Sequence, residues 1–378
     1  MKILFALALS LLVLLTIPLL LSPVLAITDP LSVTNNKFGI HIISPTSDEA
    51  SQAASLVNSS GGDWGYVTLV IEDKDKDVNK WQNFFNTLTD KHLIPIVRIA
   101  THPADGAWVS PTATAALAWA DFLNQLTWPI KNRYVLIYNE PNHGAEWGGN
   151  VNPDQYATIL SLTIDALKSR SSDFFVLNGS LDASSPQQLP ELADEIWFLQ
   201  KMNEAVPGIF NKLDGWSSHS YPNPNFAGLP TDSGRGSIKT YQWELETLKS
   251  LGLAKNLPVF ITETGWKHQG DQSFFEELSN YYQAAFTQSW TDPNIVAITP
   301  FLLNYLEPPF NSFSFLGPQG QIYPFYTAVQ SLPKLTGQPQ LNLLPEVKGI
   351  DLDLQSVDLK TKEPEFNLWT FLTMVGPF

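Results

Sequence analysis

Eight short runs of apolar, β-branched or aromatic residues recur along the chain, at 37–43, 64–72, 94–101, 134–139, 174–180, 213–221, 258–263 and 295–303. Successive runs begin roughly 30–45 residues apart, with helix-like segments between them. Parallel strands need crossovers of that length, and eight strand–helix units can close into a single α/β domain, the (β/α)8 TIM barrel. The barrel is expected over 33–333 as one domain. Trp81, Phe84, Phe85 and Leu88 share one helical face. Ser110-Pro111 and Asn152-Pro153 each put a capping side chain before a proline at the first helical position, where no N–H is missed. Gly252, after Leu245, Leu248 and Leu251, reads as a helix stop. Residues 334–378 form a C-terminal extension whose alternating stretch 350–359 reads as an added strand.

Met1-Lys2 is followed by an apolar run from Ile3 to Leu21 and a small-residue site ending at Ala26. Residues 1–26 therefore read as a signal peptide or a membrane anchor, the run being close to the ~20 residues that span a bilayer. Either form exports the rest, so the protein is expected outside the cytoplasm, secreted or anchored to the outer face of the cytoplasmic membrane. Zero cysteines then means a fold held by its core and not by disulfides. A net charge of −15 repels a phosphate backbone and argues against nucleic acid as partner. Twelve Trp and eleven Tyr exceed ordinary packing needs and suit carbohydrate surfaces.

In such a barrel the strand C-termini converge on one face. Run four ends in Asn139-Glu140-Pro141, and run seven ends in Thr262-Glu263-Thr264-Gly265-Trp266. A carboxylate ending a buried strand is costly unless it is partnered or used in chemistry, and two such groups can cleave a glycosidic bond without a cofactor. One protonates the departing oxygen; the other attacks or stabilises the oxocarbenium-like carbon. Arg98 is a cation in an otherwise apolar strand and needs a buried anion. His219 and Tyr221 stand two apart and so share a strand face. His41 ends run one, with Gly39 on the same face leaving space beside it, and is a candidate substrate contact. The histidines are scattered one per loop without a His-x-His pair, so no metal site is expected. Glu72 ends run two next to a charged loop and is expected at the surface.

The Asn-Glu-Pro after strand four and the Thr-Glu-Thr-Gly-Trp after strand seven resemble the acid/base and nucleophile motifs of clan A retaining glycoside hydrolases, the cellulase and xylosidase-type barrels. The resemblance implies Glu140 as general acid/base, Glu263 as nucleophile and Asn139 as the holder of a sugar 2-hydroxyl. It further implies that Tyr221 donates to the nucleophile and that His219 orients Glu140 or contacts sugar. Trp266 is expected to stack on substrate; Trp147 and Trp108 lie in loops where they either wall the cleft or pack within the loops. Many clan members carry tryptophan at the end of strand eight; here Phe301 or Tyr305 would have to serve. The expected protein is a monomeric retaining glycosidase acting on a β-linked oligo- or polysaccharide. The alternative is a secreted carbohydrate-binding barrel without turnover.

Overall fold

The computed structural model describes residues 27–268 and 272–342. The expected signal or anchor at 1–26 and the expected added strand at 350–359 lie outside the described residues. Strands and helices alternate: β1 Gly39–His41, α1 Ser47–Val57, β2 Gly65–Glu72, α2 Val78–Asp90, β3 Leu93–Ala100, α3 Ala115–Gln125, β4 Arg133–Ile137 and α4 Pro153–Arg170 come first. Then follow β5 Phe174–Asn178, α5 Glu195–Ala205, β6 Trp216–His219, α6 Thr240–Ser250, β7 Val259–Glu263, α7 Gln272–Ala284, β8 Ile295–Ile298 and α8 Pro324–Ser331. Each of the eight sequence runs contains or overlaps one strand.

Local signals account for several helix ends. Asp77 caps α2 by accepting from the N–H groups of Asn79 and Lys80, and Asn152 caps α4 by accepting from Gln155 N–H ahead of Pro153. Gly252 (φ +96°) ends α6 in the left-handed region, with Leu253 N–H donating to Leu248 C=O. Ser110-Pro111 does not open a helix, and α3 starts at Ala115. The cause is tertiary: Pro103–Ala104 and Ala107–Trp108 pair as a small hairpin, and Gly148 N–H donates to Trp108 C=O at 2.7 Å. That ties the segment to the loop after β4 before a helix can begin.

Strands β1 to β5 form one parallel sheet and β6 to β8 another. Two junctions close them into a barrel. Phe38 bridges Ile298 in parallel, joining β8 to β1, where a Cβ on Gly39 would sit 2.6 Å from Thr299 Cγ2. Glycine there permits the close strand approach, and does not open the space beside His41 that the sequence suggested. Between β5 and β6 the carboxamide of Asn178 replaces much of the ladder: its Oδ1 accepts from Ser217 N–H (2.9 Å) and its Nδ2 donates to Ser217 C=O (3.0 Å).

The interior is filled in layers. Tyr134, Phe175 and Phe260 pack with ring centroids 5.0–5.6 Å apart, together with Tyr66, Ile94 and Ile96. Removing one such ring by truncation to alanine costs about 3–5 kcal/mol. Above them lies a hydroxyl layer in which Ser217 bonds Ser180 (2.6 Å) and Thr262 (2.6 Å), and Thr68 bonds Thr299 (2.8 Å). Along β3, Ile94 and Ile96 face inward and Leu93, Val97 and Ile99 face the helices, so alternation delivers Arg98 to the layer above the hydroxyls. Strict alternation after Thr262 would turn Glu263 outward. A register slip aligns His219 with Glu263 and brings both into the mouth of the barrel.

Candidate active site

The backbone at the end of β4 is bent to present its side chains. Tyr138 (φ +66°) and Glu140 (φ +30°) both lie in the left-handed region, a conformation costing non-glycine residues of order 1–3 kcal/mol. Tyr138 is turned under to pack against Trp147, at 5.6 Å, while Asn139 and Glu140 line the cleft. Such strain persists only where neighbours over-determine it. Asn142 supplies part of that restraint: fully buried, it donates to Asp182 C=O and Ala193 C=O and accepts from Asp182 N–H.

Glu263 is held at both oxygens. Arg98 Nη1 donates to Oε1 at 3.0 Å and Tyr221 Oη donates to Oε2 at 3.1 Å. The same Arg98 nitrogen donates to Asn139 Oδ1 at 2.6 Å. His41 Nε2 lies 3.7 Å and His219 Nε2 3.8 Å from Glu263 Oε1. The other ring nitrogen of His219, Nδ1, donates to Glu140 Oε1 at 2.7 Å, so one imidazole spans the two carboxyl groups. Burial opposes charge on His219, but the fields of Glu263 and Glu140 and its hydrogen bond outweigh it and raise its pKa. His41 has no comparable rescue; burial drives it down to about 3, so it is neutral. Burial, with Glu263 and Glu140 adding to it, raises Tyr221 well above the usual phenol range and keeps it a donor.

These groups open into a cleft of about 830 Å³. One wall is aromatic, built from Phe226, Phe301, Tyr305, Phe310 and Phe313 in mutual ring contact; the lining also includes Glu72, Asp75, Glu146 and Asp182. Phe301 occupies the position after β8, its ring edge-on to His41 at 5.2 Å. Glu72, expected at the surface, is half-buried and lines the cleft. Trp108 lines the cleft, one of the two readings its loop position left open.

The other two tryptophans do not. Trp266 is 1% exposed, donates its indole N–H to Gly228 C=O at 2.7 Å and packs against Tyr281, Tyr282 and Trp290. Gly265 (φ +136°) turns the chain away from the mouth just before it. Stacking of Trp266 on a ligand is therefore excluded by its packing. Trp147 is equally buried and donates to Gln155 Oε1 at 2.8 Å.

Three residues of the site had no role assigned from sequence. Glu146 sits in the short turn Gly144–Glu146; burial pushes its carboxyl up to about 7 against the pull of Arg98, with Glu140 and Glu263 adding to the rise. His143 lies beside Glu140, and Asp182, four residues past β5, bonds His143. The signal for His143 and Glu146 was the density of polar residues in 139–146, directly beyond a strand end; Asp182 carried none. Among the described residues no group of three or more His, Cys, Asp or Glu is arranged to hold a metal ion.

No family model matches the chain, and no curated protein matches its sequence. Solved structures do match its fold. A monomeric β-xylosidase from Caulobacter crescentus is 13% identical over 82% of this chain and 69% of its own, with a TM-score of 0.55. A family 39 glycoside hydrolase from the gut symbiont Bacteroides cellulosilyticus is 17% identical over 82% of this chain and 65% of its own, with a TM-score of 0.56. An endo-β-1,3-glucanase from Sorangium cellulosum is 15% identical over 80% of this chain and 98% of its own, with a TM-score of 0.51. The chain spans about two thirds of the first two. The fold is thus the (β/α)8 barrel found in clan A glycoside hydrolases.

Proposed function

We propose that this protein is an exported, retaining glycoside hydrolase that acts on a β-linked oligo- or polysaccharide, with Glu263 as nucleophile and Glu140 as general acid/base. The observation that carries the reading is the asymmetric pair of carboxyl groups joined by His219. Glu263 receives hydrogen bonds from Arg98 and Tyr221 on both oxygens, whereas Glu140 receives one on Oε1, leaving Oε2 open to the cleft. A double displacement uses that asymmetry. Glu263 attacks the anomeric carbon while Glu140 passes its proton to the departing oxygen; water then enters, gives its proton to Glu140 and releases the sugar from Glu263. Asn139, its acceptor occupied by Arg98 and its amide shared with the Glu146 carboxyl, has a second Nδ2 hydrogen to donate toward a sugar hydroxyl. Fold neighbours named β-xylosidase and endo-β-1,3-glucanase support a β-linked substrate. The aromatic wall supplies flat apolar area for sugar C–H faces. Export is supported by the apolar run after Lys2 and the small-residue site ending at Ala26.

The test is digestion of a panel of plant, fungal and bacterial polysaccharides, with product anomers followed by NMR. First-formed products with the β configuration support retention; α products would mean inversion. Glu263→Ala and Glu140→Gln are expected to fold and to lose at least about a hundredfold in turnover. Binding to a glycan without any product would favour the non-catalytic barrel instead.

A further inference from the structure

Glu140 lies between two imidazoles. His219 occupies Oε1, and His143 Nδ1 stands 3.9 Å from Oε2, the oxygen facing the cleft. The far nitrogen of His143, Nε2, donates to Asp182 Oδ2 at 3.0 Å. Asp182 is fixed in turn: its Oδ1 accepts from Ser184 N–H (2.8 Å), and its backbone N–H and C=O are both bonded by the Asn142 carboxamide (3.1 and 2.9 Å). Asn142 and His143 are consecutive, so one contact locks the loop after β4 to the loop after β5 and aims the Asp182 carboxylate at the ring.

We infer that Asp182 and His143 form a positioning pair for Glu140: Asp182 sets the orientation and charge of the ring, and the charged ring steadies the carboxylate that Glu140 becomes on releasing its proton. The inference rests on the glycosidase reading above. In the first half-reaction the proton passes from Glu140 Oε2 to the glycosidic oxygen as the bond to the anomeric carbon breaks and the bond to Glu263 forms. In the second, water bonds the anomeric carbon, its proton goes to Glu140 and the bond to Glu263 breaks. His143 gives up no proton in either; it acts as a fixed cation.

The electrical surroundings agree. Burial disfavours the imidazolium, but the Asp182 hydrogen bond and the fields of Glu140, Asp182 and Glu146 raise the His143 pKa above its ordinary value. Burial likewise opposes charge on Asp182, yet the bond from His143, the Ser184 N–H and the fields of His143 and His219 bring its pKa below its ordinary value. Glu191, on the segment bridged to His143 through Leu192, carries an exposed side chain.

The full-length His143→Gln and Asp182→Asn variants test this. Ring-proton NMR of the wild type should show His143 titrating above the ordinary histidine range, with its midpoint falling in Asp182→Asn and in Glu140→Gln. In kinetics, methyl β-glucoside and β-xyloside have poor leaving groups and need proton donation; their dinitrophenyl counterparts do not. His143→Gln should lower kcat/KM at least about tenfold on the methyl glycosides and less than about threefold on the dinitrophenyl ones. The alkaline limb of the pH profile should move up by about one unit, because a proton leaves Glu140 less readily without the neighbouring cation. Equal losses on both substrates with an unmoved limb, or an unchanged His143 titration in Asp182→Asn, would overturn the pairing. If the NMR shifts appear while the wild type cleaves no glycoside on the panel, the pairing stands and the glycosidase reading fails.

Discussion

Replacing Arg98 by methionine keeps most of the side-chain volume and removes the one guanidinium at Glu263. The side chains of Arg98 and Glu263 are 13% and 10% exposed and meet at 3.0 Å, so solvent screens the pair weakly. At an effective dielectric near 20 the gross attraction at that distance is about 5 kcal/mol. Much of it is offset by the desolvation already incurred in burying both charges, and losing one partner of such a pair costs about 3–5 kcal/mol. Tyr221 still donates to Oε2 in the variant, which puts the expected loss near the low end, about 3 kcal/mol at pH 7. Urea unfolding of Arg98→Met, Glu263→Gln and the double variant closes a double-mutant cycle. The expected coupling is about 2–3 kcal/mol, because the second substitution removes the charge that the first left unpaired. A coupling under about 0.5 kcal/mol, or an Arg98→Met variant as stable as wild type, would refute the view that Arg98 compensates Glu263.

Three further outcomes are expected. Tyr221→Phe deletes only the 3.1 Å donor to Glu263 and should lower kcat by about tenfold to a hundredfold with little change in Tm, read by glycoside hydrolysis and thermal unfolding. Glu244 is fully buried against Glu195 and pushed up to about 7 from 4.5 by burial; the unfolded chain ionises it first, so it lowers folded stability progressively between those pH values. Glu244→Gln should therefore match wild type near pH 4 and exceed it by on the order of 3 kcal/mol above pH 7, and urea midpoints that run parallel across pH would contradict this. Phe301→Ala should raise KM for an oligosaccharide, while Trp266→Phe should lower Tm and leave KM alone; the reverse pattern would return Trp266 to the ligand surface.

The barrel was legible because strands buried on both faces write themselves as apolar runs, and each run falls on a strand. Glu140 and Glu263 were legible because they end such runs. Trp266 was misread because nearness in sequence to Glu263 does not survive the turn at Gly265, which sends the indole into the helix layer. Ser110-Pro111 was misread because a capping signal is local and the hairpin at 103–108 overrides it. His143, Glu146 and Asp182 went unassigned since loop residues carry no periodicity, and it is long-range contacts such as the Asn142 clamp and the His143–Asp182 bond that bring the two loops together. The Asn178 junction was equally silent, one carboxamide doing what the ladder does elsewhere.

That junction makes the cylinder uneven. The β5–β6 seam rests on side chains more than on a ladder: Asn178 bonds the backbone of Ser217, Asp214 bonds Val176 and Ser180 bonds the Ser217 hydroxyl, and a seam of so few backbone bonds is expected to open before strands paired along their length. The two strands that meet there lead into Asp182, which bonds His143, and into His219, which bonds Glu140. A ligand gripping both edges would draw the gap shut, and the amide of Ser217 would exchange with deuterium more slowly when the cleft is filled.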